Sequence, residues 1–177
     1  MNAWKHFLTI TRHRWKVRRN CWKVGLYWQG LTHDLSKYSW TEFSAGIKYY
    51  QGTRSPNSQE RELNGYSLAW MHHKGRNKHH FEYWNDIDLS TKQYEPVPMP
   101  KKYFVEMVMD RIAACKIYHG KNYQDGDALD YLQKSLEAKE SSSMHPKTKE
   151  DLIFVLTMLR DKGEKETFQY LKKHLLS

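Results

Sequence analysis

Apolar side chains recur along this chain at intervals of three or four positions and show no sustained alternation. The helical period therefore dominates, and the pattern predicts helix after helix with little or no sheet. Over residues 2–29, Trp4, Phe7, Leu8, Trp15, Trp22 and Leu26 are spaced as one stripe of a single long helix, which Gly30 would stop. Ser39-Trp40-Thr41-Glu42 has the form of a capping box, with Ser39 at the N-cap and Glu42 reaching back to it. The helix it opens presents Trp40, Phe43, Ile47 and Tyr50 on one face and ends near Gly52.

Residues 51–59 form a polar loop. A helix from about Glu60 then carries Leu63, Leu68, Trp70 and Met71 toward His72-His73, with Gly75 and Asn77 as breakers. Pro96, Pro98 and Pro100 keep residues 85–100 irregular. Lys101 to His119 is a helix closed by Gly120, with Met107, Met109, Ile112 and Ala113 as its core stripe. Asp127 can cap a further helix to about Lys139, and Ser141-Ser142-Ser143 is a loop. Pro146 opens a helix with Leu152, Val155, Leu156 and Leu159 on one face; Gly163 ends it, and a last helix covers roughly 164–175. The expected fold class is all-α, a single-domain helical bundle, with a core over residues 1–120 and additional C-terminal helices over 121–177.

The length of 177 residues supports one domain with a proper core, and seven Trp with twelve Tyr give that core bulk. No apolar run is long enough to span a bilayer, and the first residues, Met1-Asn2-Ala3-Trp4-Lys5-His6, lack the apolar stretch of a signal peptide. Cys21 and Cys115 stand alone, without zinc or redox spacing, which reads as a cytoplasmic protein with reduced thiols and no membrane partner. The net charge of +9 is concentrated early, at Lys5, Arg12, Arg14, Lys16, Arg18, Arg19 and Lys23. A basic surface attracts anions, from phosphate-bearing small molecules to nucleic acid.

The chemistry lies in the histidines and aspartates. His13 comes first, then His33-Asp34 with Lys37 three residues later, then His72-His73, His79-His80, and finally Asp110 inside a helix. Imidazole and carboxylate together suit a divalent transition ion, and both are in ligating form at neutral pH. Taken singly, each has a plainer reading: His13 as a packed or surface residue, Asp110 in an ion pair with Arg111, the His doublets on a polar loop. Taken in order and flanked by helices, they form a candidate metal constellation.

That order resembles the HD-domain superfamily of metal-dependent phosphohydrolases. Its pattern is a His, a His-Asp doublet, one or two further His sites and a distant Asp, all on a helical bundle. His33-Asp34-Leu35-Ser36-Lys37 is similar to the His-Asp-x-Gly-Lys form of the two-metal branch. Ser36 stands where that branch often has Gly, and the later His sites are only about seven residues apart rather than a helix apart. Segments such as Gly65–Trp70, His73–His80 and Glu82-Tyr83-Trp84 also resemble a family of small bacterial proteins without an established activity, over residues 5–130.

The resemblance implies a function. His13, His33, Asp34 and Asp110 would hold a first ion. His73 and His80, with His72 and His79 as alternates, would hold a second or bind phosphate. The cofactor would be one or two divalent ions of Mn, Fe, Ni, Co or Zn. Asp34 and Lys37 would be catalytic, with a metal-bound hydroxide attacking a nucleotide or other phosphoester. Lys74, Arg76 and Lys78 would grip phosphate, through Arg as a fork and Lys as a point charge. Two alternatives stay open: an HD-like di-iron oxygenase using similar ligands, and a non-catalytic, basic nucleic-acid-binding protein. His6 reads as a surface position, and His119, His145 and His174 have no evident partners.

Overall fold

The computed structural model describes residues 2–176. They form helices throughout except for one small hairpin, so the all-α expectation holds. The helices are α1 (Asn2–Val24), α2 (Tyr27–Thr32), α3 (Trp40–Tyr49), α4 (Pro56–Asn64), α5 (Leu68–Lys74), α6 (Lys101–His119), α7 (Asp127–Glu137) and α8 (Pro146–His174). The hairpin pairs β1 (Asn85–Ile87) with β2 (Tyr94–Pro96), antiparallel, with Asp86 opposite Glu95. Among the described residues, no helix is long and apolar enough to cross a membrane.

The long first helix departs from the expectation in two ways. It stops at Val24 rather than at Gly30, because Gly25 takes φ 91°, a left-handed conformation that glycine adopts without strain. Gly30 instead lies inside α2, where an added Cβ would sit 3.0 Å from Cys21 Cβ, so its lack of a side chain lets α2 close on α1. The second departure concerns the face. His6, Ile10, His13, Val17, Asn20, Cys21 and Val24 are the buried side of α1, while Trp4, Phe7, Trp15 and Trp22 point outward. Spacing identifies a stripe but not which stripe meets the core; here the smaller side chains win because α6 packs closely there. Asn20 even spans that contact, donating to the Met109 carbonyl at 3.4 Å.

The core runs from the inner face of α1 through α6 to α7 and α8. Val105, Val108, Met109 and Ile112 of α6 meet Val17 and Cys21 on one side and Leu152, Leu156 and Leu159 of α8 on the other. α6 is buried nearly all round, as expected for the central helix of a bundle. Its limits and those of the helix starting at Pro146 fall where the sequence placed them. Gly163 has φ 77° and ψ 175°, so α8 is two helical segments meeting at a kink, as its glycine suggested.

Elsewhere the local chemistry rearranges the elements. The single helix expected from Glu60 is two. Ser55 and Pro56 start α4 early, Gly65 at φ 80° ends it, and the Ser67 hydroxyl caps α5 by accepting from the Trp70 amide at 3.0 Å. Leu63, Leu68 and Met71 are exposed. Ser39-Trp40-Thr41-Glu42 starts a helix but not through a capping box: Ser39 makes no side-chain cap bond, and Glu42 is buried and used elsewhere. Asp127 is the first residue of α7 rather than its cap, and accepts from the Gln124 amide and the His119 ring. His145 caps α8, and His174 stacks on Tyr170. His6, expected at the surface, is buried against Phe43 and Tyr50.

Candidate metal centre

Five elements converge on Asp34. α1 supplies His13 from its buried face. The end of α2 supplies His33, and Asp34 follows at φ 54° and ψ 26°, a left-handed conformation uncommon outside glycine and tolerated best by Asp and Asn. Arg14 pins this turn, its Nε donating to the His33 carbonyl at 2.7 Å and its Nη2 to that of Leu31 at 3.1 Å. α5 and the loop after it bring His73, His79 and His80, and α6 brings Glu106 and Asp110 from one face, one turn apart. α3 adds Glu42 from behind.

Asp34 is 1% exposed, and its two oxygens face different ways. Oδ2 lies 3.4 Å from His33 Nε2, 3.6 Å from His13 Nε2 and 2.6 Å from Lys37 Nζ. Oδ1 lies 3.3 Å from His73 Nε2 and 3.4 Å from His79 Nε2. Asp110 closes the first group, with Oδ1 2.9 Å from His13 Nε2 and 3.5 Å from His33 Nε2. His80 closes the second, its Nε2 2.9 Å from His73 Nε2. The His13, His33 and Asp110 atoms form one potential ion-binding group, and those of Asp34, His73, His79 and His80 another.

Behind these rings stand two carboxylates that orient them. Glu106 Oε1 accepts from His33 Nδ1 at 2.9 Å and lies 3.3 Å from His79 Nδ1. Glu42 holds His73 Nδ1 through Oε2 and His72 Nδ1 through Oε1, both at 2.7 Å. With a carboxylate oxygen at Nδ1 of each, His33, His73 and His79 turn Nε2 inward, the arrangement ligating histidines show. Asn77 ties the loop down, donating to Ser36 Oγ and to the His73 carbonyl, both at 2.8 Å.

A cation fits this set. Of the buried side-chain atoms without a hydrogen-bond partner among the described residues, four lie in this cluster: His13 Nε2, His33 Nε2, His79 Nε2 and Asp34 Oδ1. His13 Nε2 is close to Asp110 but lacks the alignment a hydrogen bond needs. Buried polar atoms without partners are costly and rare, and here they share one place. The imidazole-to-carboxylate separations in the cluster, 2.9 to 3.6 Å, are those of neighbouring ligands around an ion bound at about 2.0–2.2 Å. The nitrogen and oxygen donors suit a transition ion. Thus these buried His, Asp and Glu groups could hold metal, and the His/Asp cluster is compatible with an HD-like site.

The charges agree. Burial opposes ionisation of Asp34, but His33, Lys37 and His73 outweigh it and hold its pKa well below the usual carboxylate range. Asp110 is likewise held well down, against burial, by His13 and His33. Desolvation alone would lower His33, yet the charge of Asp34 with contacts to Asp110 and Glu106 raises its pKa to about 10. His73 is raised in the same manner by Asp34 and Glu42. Without an ion, these protons and Lys37 carry the positive charge that the carboxylates demand. His80 differs: burial, then the charges of His79 and His73, push its pKa well down and keep the ring neutral.

The structure brings together His13, His33, Asp34, Lys37, His73, His80 and Asp110, and of the alternates His79 as well. His72 sits at the edge, turned to Glu42, outside both groups. The residues expected to grip phosphate, Lys74, Arg76 and Lys78, follow His73 at the end of α5 and in the loop after it. Arg76 is exposed and donates to the His72 carbonyl, and Lys78 lies over the Tyr83 and Tyr103 rings. Glu42 and Glu106 were missed by sequence reasoning. For Glu106 a signal existed, since it precedes Asp110 by one helical turn; Glu42 was masked by its resemblance to a cap.

No curated protein and no solved structure matches this chain. The sequence does match one family of unknown function over residues 2–158, and the chain belongs to that family, DUF5662.

Proposed function

We propose that this protein is a metal-dependent phosphohydrolase with an HD-like centre of two ions sharing Asp34, acting on a nucleotide or other phosphoester. The observation that carries the reading is the division of Asp34: Oδ2 faces His13 and His33, while Oδ1 faces His73 and His79. A carboxylate presented to two sets of imidazoles in this way is suited to bridge. His13, His33, Asp34 and Asp110 would hold one ion, and Asp34, His73, His79 and His80 the other. When bound, such ions supply Lewis acidity and bring the pKa of water down from about 15.7 toward 7.

The chain's own residues supply the rest. Lys37, partly exposed beside Asp34, offers a cation to the anionic oxygens of a phosphoester as it reaches the centre. Its bond to Asp34 and the nearby charge of Asp110 raise its pKa, so the ammonium stays charged across the working range. Glu106 and Glu42 fix the rings so that little reorganisation accompanies reaction. Arg14 and Asn77 hold the two loops that carry the ligands.

The test is phosphate release from a panel of nucleotides and simple phosphoesters, using protein loaded with manganese, nickel or cobalt. Activity that falls by about a thousandfold or more in Asp34→Ala, with unchanged circular dichroism, supports the reading. Full activity in that variant sinks it. Isolation with two irons and an oxo-bridge absorption, without phosphate release, would transfer the site to the oxygenase reading.

A further inference from the structure

The outward face of α1 has no part in the centre just described, and it is unusual for a surface. Trp4, Trp15 and Trp22 are 65%, 50% and 44% exposed. They are separated by 11 and 7 residues, which at about 100° per residue puts them within roughly 20° of one line. The line runs about 27 Å along the helix at ~1.5 Å per residue. It continues past the Gly25 break, where Tyr27 packs edge-on to Trp22 and Trp28 and Leu31 of α2 are exposed. Monomeric proteins rarely leave so much apolar surface contiguous without a use.

Charge selects the occupant. α1 from Asn2 to Val24 has no acidic residue, and Lys5, Arg12, Arg18 and Arg19 are exposed on the helix with the tryptophans. A second copy presenting the same face would set cations against cations. An anionic partner with an apolar layer beneath its charges fits both components.

We infer that this face of α1 and α2 docks the protein on an anionic phospholipid surface, lying in the headgroup layer without crossing it. Tryptophan favours that layer, and flanking Lys and Arg favour its anionic phosphates. Nucleic acid satisfies the cations but not the apolar side chains. One face of the Trp15 ring carries the Arg19 guanidinium at 4.6 Å, and one face of Trp22 carries that of Arg18 at 5.3 Å, which leaves less of each ring for a base. Successive tryptophans are also about 10 Å or more apart along a convex helix, too far for consecutive bases to stack as on a flat platform. Leu31, exposed beside them, has no use for a phosphate backbone. The expectation of no membrane partner rested on the lack of an apolar run long enough to span; lying on a surface makes a different demand.

The experiment is co-sedimentation of the full chain with vesicles of phosphatidylcholine alone or with ~30% phosphatidylglycerol, together with tryptophan emission. Expected are at least tenfold tighter binding to the anionic vesicles and a blue shift. Weakening of at least tenfold is expected in Trp4→Ser/Trp15→Ser/Trp22→Ser, and also in Arg12→Glu/Arg19→Glu. These positions are exposed, and an unchanged melting temperature and metal content would show that the fold and the His/Asp centre persist. No preference for anionic vesicles overturns the inference. So does vesicle binding that ignores the tryptophans, or tryptophan-dependent binding to single-stranded nucleic acid without vesicle binding. None of these outcomes bears on phosphohydrolase activity, so the two proposals fail separately.

Discussion

Glu106 reaches His33 and His79 through a single oxygen, 2.9 Å from one Nδ1 and 3.3 Å from the other. His33 belongs to the first ligand group and His79 to the second, so one carboxylate orients a ring in each. Glu42 touches only His73 among the inward rings. Removing the charge of a carboxylate behind a ligating His costs about 10–100-fold in metal affinity. If the proposed pair of ions is bound, Glu106→Gln should therefore weaken both, and Glu42→Gln mainly one. Competition against a fluorescent chelator, read as two binding steps with manganese or zinc, separates the cases. Equal behaviour of the two variants would contradict the shared role of Glu106.

Ions held among buried atoms that otherwise lack partners must stabilise the fold. For a ligand at a hundred times its dissociation constant, the gain is about 2.7 kcal/mol. In a chain of this size each kcal/mol shifts the melting temperature by about 2–4 °C. Dialysis against a chelator should lower the melting temperature by roughly 5–10 °C per ion lost, and manganese should restore it. Asp34→Ala, which removes the ligand shared by both groups, should abolish most of the response. A melting temperature indifferent to chelator and added metal would show that the cluster holds no ion under those conditions.

Much of this site was legible in one dimension, and the reason is chemical. His33-Asp34 and the His doublets carry donor atoms that few other roles need together, so their order alone proposes a centre. α6 was legible because Pro100 and Gly120 bracket an unbroken helical pattern. The face of α1 was not. Its tryptophans make the stronger apolar stripe, while the side that enters the core carries His6, His13 and Asn20, polar groups whose burial depends on partners from α3, α6 and the turn after α2. Glu42 was illegible for a similar reason: its local sequence offers a helix cap, and only the tertiary approach of α5 supplies the histidines that claim it. Periodicity reports which residues share a face; the partner of that face is a property of the fold.

Gly46 provides a test of the contact between α1 and α3. Replacing a mid-helix glycine by alanine ordinarily gains up to about 1 kcal/mol. Here a Cβ would stand 1.9 Å from His6 Nε2, closer than any real contact, and His6 is itself packed against Phe43 and Tyr50. Overpacking of that kind costs about 1–3 kcal/mol. Gly46→Ala should therefore lose stability on balance, by about 1–2 kcal/mol in denaturant unfolding. His6→Ala/Gly46→Ala should lose less than the sum of the single changes, since the smaller side chain opens the space. A stabilised Gly46→Ala protein would mean that the two helices sit further apart than described.

His6 also makes a prediction about acid. Burial first, and the charge of Lys37 second, lower its pKa from 6.5 to about 4. Its Nδ1 has no hydrogen-bond partner to offset the loss of water. The folded state therefore binds the proton less readily than the unfolded chain. Its contribution to stability is fully present above about pH 7, declines as pH falls through 6.5, and is gone below about 4. One such proton is worth at most about 1.4 kcal/mol per pH unit. Urea unfolding at pH 7 and pH 5 should show a smaller loss in His6→Leu than in the parent, because leucine cannot take up the proton in either state. Every other ionisable group is common to both proteins, so the difference between the two slopes isolates His6. Parallel slopes would mean that His6 is protonated as easily in the folded protein as in water, which its enclosure by Phe43, Gly46 and Tyr50 argues against.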